Sequence, residues 1–131
     1  MSVDLGMVLL AALVNFIIGF MMHGPIAGKL WMRLANITPT GNEKFSDMVP
    51  QMLKNYLMNV VAAYVLAAMI IFTEVVGIGK GMIFAAWVWF GFVVTSSSMD
   101  VIWMGKPYKL WLFELFCSLL SFLAMGAILA N

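Results

Sequence analysis

Glu114 is a carboxylate set inside an apolar run, and it follows four consecutive hydroxyls, Thr95, Ser96, Ser97 and Ser98, across a turn carrying Asp100, Lys106 and Lys109. An ionised side chain within a buried apolar helix costs about 2.5–3.5 kcal/mol at the helix centre and normally faces a partner or a water-filled cavity. Two kinds of chemistry are open to Glu114. One is structural, through snorkelling to an interface or pairing with His23 or Lys109, and the positive end of its own helix favours a carboxylate there. The other is solute binding or proton relay. A metal site would need at least three convergent ligands drawn from His23, Asp100, Glu114 and Cys117, and a lone His at a helix end is more often a capping or interfacial residue than a ligand. Neither a metal nor a cofactor is expected. The hydroxyls at 96–98 have a simpler use, bonding back to the carbonyl three or four residues earlier and fraying a helix end.

No catalytic motif accompanies these residues. The glycines at 77, 79 and 81 precede an apolar run without the Lys-Ser/Thr pair of a phosphate loop, and the serine run lacks the strand-turn-helix setting of a nucleophile elbow. An enzyme is therefore unsupported. Seven Lys and Arg nearly cancel six Asp and Glu, for a net charge of +1, so there is no basic field to attract nucleic acid. A single cysteine supports neither an internal disulfide nor a Cys-rich metal site.

The elements that must position Glu114 are membrane helices. The 131 residues are 64% hydrophobic and only 10% charged, with a mean hydropathy of +1.03, far from the balance of a soluble domain. Residues 5–22 form an apolar run broken only by Asn15, about 27 Å long as a helix and so a first span. Asp4 before it and His23, Gly24 and Pro25 after it do not fit a cleaved signal, so the run is expected to be retained. Pro25 ends that helix and opens a short one in which Ile26, Leu30, Trp31 and Leu34 share a side while Lys29 and Arg33 share another, an arrangement suited to the membrane surface. Residues 38–47 read as a solvated loop. A second span over about 50–73, capped by Ser46 or Asp47, a glycine-bearing turn, a third span over about 82–97, a loop over 100–109 and a fourth span over 110–129 complete the chain. We expect one transmembrane domain over residues 1–131.

Lys29, Arg33, Lys44, Lys54, Lys106 and Lys109 fall near the first and third connections, against Lys80 alone elsewhere, which places both termini outside the cytoplasm. Trp31, Trp103 and Trp111 then lie at the cytoplasmic interface. This threading gathers His23, Asn55 and Asn59, Thr95 to Ser98 and Glu114 at a similar depth. Ala11, Asn15, Gly19 and His23 recur every four residues, as do Asn55, Asn59, Ala63 and Ala67, and Glu114, Ser118, Ser121 and Met125 follow a similar stripe. Small and polar stripes let membrane helices approach where lipid offers no hydrophobic drive, so all three are expected to face inward, with Asn15 and Asn59 in interhelical hydrogen bonds.

Trp89, Gly91, Phe92, Thr95, Ser96, Gly105, Lys106, Pro107, Lys109, Leu110 and the stretch 125–129, with Gly19, Pro25, Gly28, Lys29, Trp31 and Met32 nearer the start, resemble the signature of a family of small bacterial membrane proteins catalogued as domain of unknown function 1761. The resemblance implies a four-span architecture and no activity. The family tends to carry Asp and, four residues on, His where this chain has Glu114 and Ser118, and Tyr where His23 stands.

The sequence thus predicts an all-α, four-span integral membrane bundle with a short interfacial helix after the first span, in a bacterial inner membrane. Lipid is its surrounding partner. A bundle of this size has little room for a private solvent path, so a homo-oligomer or a place in a larger membrane complex is expected. An interaction or accessory role is the first functional expectation, with His23, Asn59, Thr95, Ser96, Asp100, Glu114 and Ser118 as the polar cluster and Ala11, Asn15, Gly19, Ala63 and Ala67 as packing positions. The alternative is a small-solute or ion transporter with a cytoplasm-facing site at Glu114 and His23.

Overall fold

A computed structural model describes residues 3–38 and 45–131. Helix α1, Leu5–Met22, starts where the Asp4 carboxylate accepts hydrogen bonds from the backbone N–H of Gly6 (3.0 Å) and Met7 (3.3 Å), satisfying two of the donors that a helix start leaves free. It stops ahead of Gly24 and Pro25. Helix α2, Gly28–Ala35, is short and ends on Asn36 in the left-handed region. Helix α3, Phe45–Phe72, takes in both expected caps, Ser46 and Asp47, and the last part of the expected loop, of which 39–44 lie outside the described residues; Pro50 is inside its second turn. Proline removes one N–H there but leaves the long apolar remainder intact.

The third long helix is continuous from Ile78 to Met104 and has three parts: α4, Ile78–Val88; a π-helical stretch, Trp89–Val94; and α5, Thr95–Met104. Here the structure differs from the expected end near 97. Each hydroxyl of the polar run donates to a carbonyl of its own helix, Thr95 to Gly91 (2.7 Å), Ser96 to Phe92 (2.6 Å), Ser97 to Val93 (2.6 Å) and Ser98 to Thr95 (2.6 Å). With the hydroxyls satisfied locally the helix carries on through them. It ends instead at Gly105, whose φ of 71° closes the turn, and Asp100 therefore lies on the helix, not in a loop. Helix α6, Tyr108–Leu129, follows directly after Pro107.

Four of these helices are long and apolar enough to cross a membrane, Leu5–Met22, Ser46–Phe72, Ile78–Met104 and Tyr108–Leu129. The protein is an all-α, multi-pass membrane bundle, and its outer apolar side chains, among them Leu9, Leu13, Leu57, Val61, Ile83 and Trp87, are exposed to the bilayer. α1 packs between α3 and α6, and α4 packs on the far side of α6. The core lies toward the chain termini. There Val8, Ala11 and Ala12 of α1, Ala63, Leu66, Ala67 and Ile70 of α3, Ala85 of α4 and Met125 of α6 form one buried cluster.

Small residues permit that closeness. Gly81 of α4 and Gly126 of α6 touch backbone to backbone: a Cβ on either would collide with the carbonyl oxygen of the other. Gly81 reads from sequence as part of a flexible turn, but the turn is confined to residues before Ile78, and Gly81 is a packing position. The Gly77 N–H donates to the Ala130 carbonyl at 2.7 Å, tying that turn to the end of α6.

Candidate functional site

At the end of the bundle away from this core, α3 and α6 diverge on either side of α1 and leave a cleft. Its volume is about 420 Å³, and it is lined by Asn15, Gly19 and His23 of α1, Asn55 and Asn59 of α3, and Glu114, Cys117, Ser118 and Ser121 of α6, with Phe16, Phe20, Met48 and Met52 supplying apolar wall. The stripes of the three helices thus meet around a space at this end, whereas nearer the core the same stripes, at Ala11, Ala63, Ala67 and Met125, are in contact.

Glu114 pairs with the Lys106 ammonium, the two side chains being 37% and 23% exposed. A charge pair at a half-open mouth avoids most of the desolvation that a deeper one would suffer. His23 is held at the end of α1. Its Nδ1 lies 2.9 Å from the Gly19 carbonyl oxygen, which can only accept, so Nδ1 is the donor of that bond. The ring packs edge-on against Trp31 of α2 (5.0 Å between centroids) and Phe113 of α6 (5.7 Å). Those contacts fold α2 back against the start of α6; of the four residues expected to share one side, Trp31 and Leu34 are half-buried, while Ile26 and Leu30 are exposed. Deeper in, the Asn15 side-chain amide points to the Met125 sulfur at 3.7 Å.

Two indoles cross between helices. Trp89, the first residue of the π-helical stretch, donates through Nε1 to the Ser118 hydroxyl at 2.8 Å, and Ser118 donates to the Leu115 carbonyl at 3.0 Å. Trp111 donates to the Ser97 hydroxyl at 2.8 Å. Both bonds fix the third long helix to α6, the wall that carries Glu114.

Of the residues singled out from sequence, His23, Asn59, Glu114 and Ser118 come together at the cleft, joined by Asn15 and Gly19. Thr95, Ser96 and Asp100 do not: they are exposed on α5 and line no part of it. Among the described residues no three His, Cys, Asp or Glu side chains are grouped to hold a metal ion. Lys106, not His23 or Lys109, is the partner of Glu114. Trp89 and Trp111 were findable in principle, because an indole N–H inside an apolar helix requires an acceptor and Ser118 and Ser97 are among the hydroxyls of the facing helices.

Residues 7–130 of the chain match the family model described as a protein of unknown function, DUF1761. No curated protein and no solved structure matches it.

Proposed function

The chain belongs to the DUF1761 family, and we propose that this member is a small-solute or ion transporter of a bacterial inner membrane whose binding site is the α1–α3–α6 cleft. The observation that carries this reading is that Glu114, His23 and the carboxamides of Asn15, Asn55 and Asn59 surround open volume and are not pressed against one another. A cleft of about 420 Å³ with mostly apolar walls and a few polar groups has the dimensions of a small-molecule site. Its floor is the closely packed core of Ala11, Ala63 and Met125, so passage requires the helices at that end to part, or a second copy to complete a path. With the cations near the open end held inside, the cleft faces the cytoplasm and both termini lie outside.

The test is flux into liposomes carrying purified protein and an internal pH dye. Glu114→Gln should abolish pH-dependent flux while leaving the helical content unchanged. Protein that moves neither protons nor solute, or a variant that moves them equally well, removes the transport reading.

A second reading has its own support. Lys106 satisfies Glu114, and Gly19 satisfies one nitrogen of His23, as expected if the polar groups are structural glue in an oligomeric interaction or accessory subunit. Under that reading Glu114→Gln changes the assembly state in detergent and no flux exists to lose.

A further inference from the structure

We propose that the cleft binds an amphiphilic amine, a primary or secondary ammonium on an apolar body, with the ammonium seated on Glu114 in place of Lys106. This rests on the reading of the cleft as a solute site and names the class of solute.

Three observations converge on that class. The first is charge. Glu114 lines the cavity, and no Lys or Arg among the described residues does; its partner Lys106 reaches it from outside that lining, so when Lys106 moves aside the lining is left with a carboxylate that favours a cation over an anion. The second is that the carboxylate already holds a primary alkylammonium. Lys106 reaches it from the short connection between Gly105 and Pro107; its backbone is fixed by the bond from its N–H to the Asp100 carbonyl (3.1 Å), so it gives up the carboxylate by rotating its flexible four-carbon stem. Lys106 is thus a tethered occupant of the seat that a free amine would take. The third is the lining. An ammonium brings only donors, and the lining includes the carboxamide residues Asn15, Asn55 and Asn59, which carry acceptor oxygens, beside the apolar side chains of Phe16, Phe20, Met48 and Met52, which suit an apolar body.

An exchange of one ammonium for another has a signed consequence. Removing Lys106 removes the competitor, so Lys106→Gln should bind the amine more tightly than the native protein, which a misfolded variant would not do. Glu114→Gln removes the seat. The experiment is equilibrium binding of dansylcadaverine, a fluorescent primary amine, to the full chain in nanodiscs, with empty nanodiscs subtracted and the N-acetylated, uncharged probe as control. We expect saturable binding of the amine, weakened by about tenfold to a hundredfold for the acetylated probe and for Glu114→Gln, as the loss of a charge-assisted hydrogen bond implies, and strengthened several-fold in Lys106→Gln. Equal binding of the two probes, or unchanged or weaker binding in Lys106→Gln, overturns the proposal. Saturable amine binding with no flux in liposomes supports this assignment while removing transport; flux of another solute with no saturable amine binding overturns it and leaves the transport reading standing.

Discussion

Replacing Gly126 with alanine adds one methyl group, yet the structure leaves no room for it. The new Cβ would overlap the Gly81 carbonyl oxygen and come to 2.7 Å from the Ala85 Cβ and 2.9 Å from the Gly81 carbonyl carbon, where carbon atoms normally rest about 3.5–4.0 Å apart. None of these is the end of a flexible side chain, so α4 and α6 must separate by about 1 Å along their closest approach. Overpacking of this kind costs about 1–3 kcal/mol, or about 5- to 150-fold in the unfolding equilibrium. Gly79 provides the control two residues from Gly81: a Cβ there meets nothing within 4 Å, so Gly79→Ala should be neutral or stabilising by up to about 1 kcal/mol through the unfolded chain. The assay is denaturation by SDS in mixed micelles followed by circular dichroism. Gly81→Ala should match Gly126→Ala, and the double variant should cost less than the two combined, because helices already forced apart by one methyl accept the second. If Gly126→Ala unfolds together with Gly79→Ala, the backbone contact between α4 and α6 is not what closes this end of the bundle.

Trp89→Phe and Ser118→Ala should each destabilise by about 0.6–1.7 kcal/mol, the range of interhelical hydrogen bonds in membranes, and a double-variant cycle should show them coupled, whereas additive losses would separate the two residues. Cys117 lines the cleft but is only 5% exposed, so N-ethylmaleimide should leave it largely unmodified in the native bundle and modify it readily in SDS; equal rates would mean the cleft end opens freely. Asp100→Asn should leave both flux and amine binding unchanged, because Asp100 is exposed on α5 outside the cleft, and a loss of either would require a second site. A reporter fused to either terminus should be active only outside the cytoplasm, and cytoplasmic activity would reverse the orientation drawn from the Lys and Arg distribution.

The presence of four long helices was legible because it depends on little more than apolar run length, as the 18 residues of Leu5–Met22 illustrate. Which face of each helix turns inward was legible only where small or polar residues marked it. Ala11, Asn15 and Gly19 on α1 and Glu114, Ser118 and Ser121 on α6 do so, but α4 beyond Lys80 carries no polar residue, and its packing position Gly81 is hidden among glycines that also suit a turn. The third helix also defeats reading by spacing. Its π-helical stretch at Trp89–Val94 accommodates an extra residue, which rotates everything beyond it by about 100° relative to an unbroken α-helix. Membrane depth groups Thr95 and Ser96 with the cleft residues but does not fix the side of the helix they take, and they, with Asp100, lie just past that rotation. The Lys106–Glu114 pair depended on a connection only three residues long between Met104 and Tyr108, and hydropathy does not resolve lengths that fine.

The two ends of the bundle are different because the stripes of α1 and α3 change residue size along their length. Toward the termini they present Ala11, Ala63 and Ala67, which pack in the core beside the Gly81–Gly126 backbone contact of α4 and α6. Toward the other end they present Asn15, Asn55, Asn59 and His23, with Glu114 on α6 beside them, and these are too large for that packing and too polar to be left in lipid. Helices joined tightly at one end and held apart at the other enclose a wedge, and the wedge is the cleft. Its polar lining is therefore not incidental to its shape: the side chains that hold the walls apart are the ones a solute would meet. Shortening one of them, as in Asn59→Ala, should remove binding groups and narrow the cleft together, while Asn59→Asp should keep the width and add a second negative charge to the lining. On the amine assignment, Asn59→Asp tightens dansylcadaverine binding where Asn59→Ala weakens it, and the reverse order would place the ammonium elsewhere.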